Sequence, residues 1–140
     1  MQAENPVTQF CTQLTGISQQ DADNGLPYPA AMQALSAFAA KHPDGKVWGS
    51  WGNSDRNSFS NECSKHGVEN PLEGWLHRNL KAEWSAPRRA LIREKYGPKA
   101  KRASMVRALE IAGIALEGTH HRALSDVLNI AKLLPGCLEP

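Results

Sequence analysis

The stretch Thr119–Leu134, THHRALSDVLNIAKLL, sets two adjacent histidines ahead of an amphipathic helix and an aspartate in its opening turns. Ala123, Val127, Ala131 and Leu134 recur at helical spacing and predict a buried face, and Pro135-Gly136 ends the run. A carboxylate so placed can hold a divalent cation. The positive end of the helix dipole lowers the basicity of a histidine there, leaving a neutral base near pH 7. His121 and Asp126 are therefore a candidate hydrolytic pair, and two solvent-facing histidines beside a solvated aspartate are the bland alternative.

Upstream of this segment, Ser104 opens a helix running to Gly113, with Met105, Leu109 and Ala112 on one side. Ser85 and Pro87 open a basic helix that Gly97-Pro98 ends. Leu76–Leu80 and the β-branched, aromatic-rich Lys46–Trp51 (KVWGSW) predict two short strands. Between them Ser54 caps a helix through His66, closed by Gly67. Pro29 enters the first turn of a helix through Lys41, with Met32, Leu35, Phe38 and Ala39 as its apolar stripe. His42-Pro43 stops it and Asp44-Gly45 turns the chain. Strands followed by helices predict an α/β fold, yet two short strands make a small sheet for so many helices.

At 140 residues, 41% hydrophobic and 21% charged, the sequence fits one soluble globular domain, 1–140, with a single core. No window approaches the 18 or so apolar residues of a membrane span, and Met1–Gly16 lacks the basic start and apolar centre of a secretory signal. Cys11, Cys63 and Cys137, odd in number and widely spaced, predict reduced thiols and a cytoplasmic location. The net charge of +2 hides an asymmetry. Arg78–Arg107 alone carries +8, the remainder −6, which points to a polyanionic partner or to a solvated helix face.

HHRALSDVLNIAKLL resembles the third motif of the DEDDh 3′→5′ exonucleases, in the branch of the histone-mRNA 3′ exonucleases and bacterial sporulation-inhibitor-like exonucleases. Three further stretches extend the likeness. FCTQLTGI (Phe10–Ile17), with Asp21–Pro29 behind it, is similar to the family segment between the third strand and the first helix. WGNSDRNSF (Trp51–Phe59) is similar to the second motif, and HRNLK (His77–Lys81) to a short strand with an Asn-Leu pair. The resemblance implies that Asp55 and Asp126 are metal-site carboxylates for Mg2+ or Mn2+, and that His121 deprotonates the attacking water. It also implies an incomplete ribonuclease H-like fold, helix-rich with a reduced sheet, because the first three strands and their Asp-x-Glu motif have no counterpart here. Ser125 and Asn53 stand where relatives often carry acidic residues. Such a C-terminal portion of an exonuclease domain is expected to be weak or inactive alone, and to associate with itself or with a partner completing the sheet.

Single-stranded RNA or DNA is the implied substrate. Lys99, Lys101 and Arg102, in the loop after Gly97-Pro98, are candidate phosphate contacts, and Trp51 is a candidate base-stacking residue beside Asp55. Trp48 reads as packing, and Cys63-x-x-His66 as half of a zinc spacing without its second half. A noncatalytic nucleic-acid-binding or partner-binding remnant of the family is the competing reading.

Overall fold

The computed structural model describes residues 3–42 and 45–138, so Pro43 and Asp44 of the expected turn lie outside the described residues. In chain order the elements are α1 (Gln9–Thr15), α2 (Gln19–Asp23), α3 (Tyr28–Ala39), β1 (Val47–Ser50), α4 (Ser54–His66) and β2 (Leu76–Asn79). There follow α5 (Leu80–Ser85), α6 (Arg89–Tyr96), α7 (Met105–Ala112), α8 (Ala123–Leu133) and α9 (Pro135–Leu138). Among the described residues β1 and β2 form the sheet, a parallel pair joined through α4 as a strand–helix–strand crossover. This is the helix-rich α/β architecture with a small sheet that the sequence predicts.

Where the sequence predicts a single core, the described residues form two buried clusters, and the chain divides into two compact units, one of residues 1–48 and 54–77, the other of residues 49–53 and 78–140. The first packs Tyr28, Met32 and Cys63 as its buried centre, with Ala31, Leu35, Phe59 and Val68 against them. Tyr28 ties α3 to α4: its hydroxyl lies 3.3 Å from Cys63 Sγ, and its ring stacks on His66 at 4.6 Å. Burial and the Cys63 contact push the Tyr28 phenol well above its usual range. Trp48 packs edge-on to Phe59 and against His77, as its sequence context predicts. Gly67, at φ 62°, ends α4, and Val68 N–H reaches back to the Cys63 carbonyl.

The second unit is built on Leu80, Trp84, Ile92, Ala103, Met105, Ala108, Leu109, Leu133 and Cys137. Ser104 caps α7 through its hydroxyl on Arg107 N–H, and Gly113 closes it in the left-handed conformation, as predicted. Three further expectations are overturned. Ser85 does not open the basic helix but ends α5, buried, because its hydroxyl accepts from Ala103 N–H at 3.1 Å; the basic helix begins at Arg89. The face of α8 formed by Ala123, Val127, Ala131 and Leu134 is exposed, and the helix instead buries Asn129 and Leu133. A polar residue occupies the inner face there, so apolar periodicity pointed to the wrong side. Phe38 of α3 and Ala112 of α7 are likewise exposed, the core taking Met32 and Ala39 from α3 and Met105, Ala108 and Leu109 from α7.

Candidate active site

Asn129 determines how the chain enters α8. Wholly buried, it accepts from Glu117 N–H at 3.0 Å and donates to the carbonyls of Glu117 and Ser125, both at 2.8 Å. These bonds pin the loop after α7 against the helix it precedes. Gly118 then turns at φ 71°, and a Cβ there would lie 2.6 Å from Ser125 Oγ, so the position suits glycine alone. A Lys132–Glu117 ion pair closes the outside of the loop and holds the Glu117 carboxyl below its usual range.

The loop delivers His120 and His121 to the first turn of α8. His120 Nδ1 lies 2.9 Å from Asp126 Oδ1; with the carboxylate ionised, the ring N–H donates. The His121 ring stacks on His120 with centroids 3.8 Å apart, and its backbone takes the left-handed φ of 68°. One donor atom from each of His120, His121 and Asp126 falls within 4.8 Å of the others. His120 and Asp126 are half-buried, and His121 is exposed. The sequence reading selects His121, yet the direct partner of Asp126 is His120. The two are neighbours in sequence; in the fold His120 faces the carboxylate, and His121 takes the left-handed backbone.

Two ring nitrogens and one carboxylate are a donor set for a single cation. A two-cation phosphodiester site needs several carboxylates, and this cluster supplies one. No Asp-x-Glu occurs in the chain. Asp55 lies in the first unit, exposed in the opening turn of α4, on a cleft of about 220 Å³ with Tyr28, Met32, Ser58, Phe59 and Glu62. It belongs to no three-donor group among the described residues. Trp51, in the second unit, is half-buried, donates its indole N–H to Ala103 O at 3.2 Å and tilts against Trp84. Asn53 accepts from the side-chain amide of Asn79, which also caps α5.

The basic segment separates into structural and free cations. Arg78 pairs with Glu83 and Lys95 with Glu110. Arg88 stacks on Trp84 while donating to two carbonyls, and Arg107 covers Tyr96. Lys99, Lys101 and Arg102 are exposed and make no ion pair among the described residues. Asn129 and the structural role of Arg88 were not anticipated. The polar residue on the inner face of an apolar helix was the visible signal for the first; nothing local marked the second.

Residues 1–134 match the RNase T-type family model, described as Exonuclease. The chain therefore belongs to this exonuclease family, in its DEDDh class, within the ribonuclease H-like superfamily. It is similar to the 3′-5′ exonuclease Snipper of Drosophila melanogaster, 26% identical over 151 aligned positions covering 94% of this chain and 50% of the relative. The chain thus spans about half the length of the curated relative it matches. Divalent cations are general in the family, and no described helix is long and apolar enough to cross a membrane.

Proposed function

We propose that this chain is the C-terminal portion, one domain of residues 1–140, of a 3′→5′ exonuclease domain acting on single-stranded RNA or DNA. As this chain alone it is weak or inactive. The observation that carries the reading is the grouping of His120, His121 and Asp126 at the start of α8. Asp126 and, in the first unit, Asp55 are the carboxylates that would serve as ligands to Mg2+ or Mn2+, and a bound cation would stabilise charge on the phosphodiester oxygens. His121, the exposed ring of the pair, takes the proton of the attacking water; His120 fixes the orientation of the Asp126 carboxylate through its Nδ1. Lys99, Lys101 and Arg102 bind backbone phosphates, and the exposed part of the Trp51 ring contacts a base.

The two-stranded sheet among the described residues supports a ribonuclease H-like fold with a reduced sheet. Leu124, Val127 and Leu128 project from α8 at 73%, 60% and 48% exposure. A helix stripe of this kind supports self-association, or a partner completing the sheet. The free thiols suit a reducing, cytoplasmic location.

The test is digestion of 5′-labelled single-stranded RNA and DNA by the purified chain with Mg2+ or Mn2+, beside Asp126→Asn and His121→Ala. Stepwise 3′ shortening that both substitutions abolish supports the exonuclease; shortening that survives both refutes the assigned site. Binding without shortening supports a second reading, a noncatalytic nucleic-acid-binding or partner-binding remnant. That reading is favoured by the single carboxylate in the α8 cluster, already engaged by His120.

A further inference from the structure

The first unit contains a second three-donor cluster, made of residues that play no part in the function proposed above. Glu62 and His66 stand one turn apart on α4, so both side chains leave the same face of the helix. Glu4, from the segment before α1, reaches that face: His66 Nε2 lies 3.1 Å from Glu4 Oε1 and 3.7 Å from Glu62 Oε2. One donor atom of each residue falls within 4.8 Å of the others.

Ligands bound tetrahedrally at zinc distances stand about 3.3 Å apart, and the two measured separations bracket that value. Stacking on Tyr28 fixes the His66 ring, which directs Nε2 at the carboxylates without a rotameric search. The cluster opens into a cleft of about 780 Å³, also lined by Ala3, Asn5, Pro27 and Pro29, which leaves room for a water as fourth ligand. Lys65 pairs with the other oxygen of Glu4 and lies 3.8 Å from Glu62 Oε2, so its ammonium must swing aside for a cation to bind.

We propose that Glu4, Glu62 and His66 form a binding site for a zinc-class divalent cation that clamps the N-terminal segment onto α4. One imidazole and two carboxylates on a three-point site favour Zn2+ over Mg2+, which requires octahedral oxygen coordination and gives up its waters reluctantly. Cys63 is not among the grouped donors: it is buried, with its Sγ 3.3 Å from the Tyr28 hydroxyl.

The test titrates Zn2+ into the purified chain and into a His120→Ala, His121→Ala variant, which removes the cluster on α8. The expected result is one equivalent bound in the double variant, with Mg2+ failing to compete. Adding Glu62→Gln or His66→Ala lowers the affinity at least about tenfold, and Lys65→Ala raises it by removing the competing ammonium. Co2+ in place of Zn2+ gives tetrahedral visible bands without a thiolate charge-transfer band. Zn2+ also slows proteolysis ahead of Val7, which a metal held elsewhere does not do. Affinity unchanged by both Glu62→Gln and His66→Ala, or a thiolate band with Co2+, overturns the site.

Discussion

Replacing Asn129 by alanine tests whether one buried amide organises the approach to α8. Three hydrogen bonds of 2.8–3.0 Å are lost from a side chain with no exposure. At roughly 1 kcal/mol net for each such bond, the loss is about 3 kcal/mol. With a urea dependence of about 2 kcal/mol per molar, the unfolding midpoint moves down by about 1.5 M. Circular dichroism of the full chain in urea measures it, and Asn129→Leu separates the causes. Leucine fills the space yet restores no hydrogen bond, so it is expected to lose nearly as much as alanine. Asn129→Asp keeps the bond from Glu117 N–H but sets a buried carboxylate against two carbonyl oxygens, and it is the least stable of the three. Amide exchange at Glu117 accelerates in the alanine and leucine variants, which lose the acceptor for its N–H. A midpoint for Asn129→Ala within about 0.2 M of the parent, with Glu117 exchange unchanged, refutes the reasoning.

Ser85→Ala leaves the Ala103 N–H buried without its acceptor and costs about 1–3 kcal/mol, again read by urea unfolding. Tyr96 and Lys95 hold the Glu110 carboxyl below its unfolded value of 4.5. The stability this contributes is complete above that value and is lost as pH falls through the folded one, so Glu110→Gln flattens the acid limb of a stability profile. Burial raises the Cys137 thiol above 9.0, its unfolded value, so the stability it contributes is present below pH 9 and falls as pH rises further. A thiol reagent at neutral pH reacts quickly with exposed Cys11 and slowly with buried Cys63 and Cys137. Replacing Lys99, Lys101 and Arg102 together by alanine lowers the slope of log affinity for single-stranded nucleic acid against log salt by about 2, a phosphate contact on a single strand counting about 0.7. An unchanged slope removes that loop from the interface.

Local features of the fold were readable from the chain's residue order. Residue preferences at turns and caps depend on neighbours only, so the strand at Val47–Ser50, the helix Ser54–His66 and the Ser104 and Gly113 ends of α7 were all legible. The nearness of the two histidines to Asp126 was legible too, because these residues are close in the chain. Tertiary structure decided what depends on distant partners. Ser85 left its expected cap because Ala103, eighteen residues on, offered it a buried N–H. The apolar stripe of α8 stayed outside because Asn129, satisfied by Glu117 and Ser125, could be buried at no hydrogen-bonding loss. In the same fold His120 rather than its neighbour faces Asp126, and His121 takes the left-handed backbone. Periodicity measures how apolar a face is. Burial follows from which groups find partners there, and those partners are assigned only when the chain has folded.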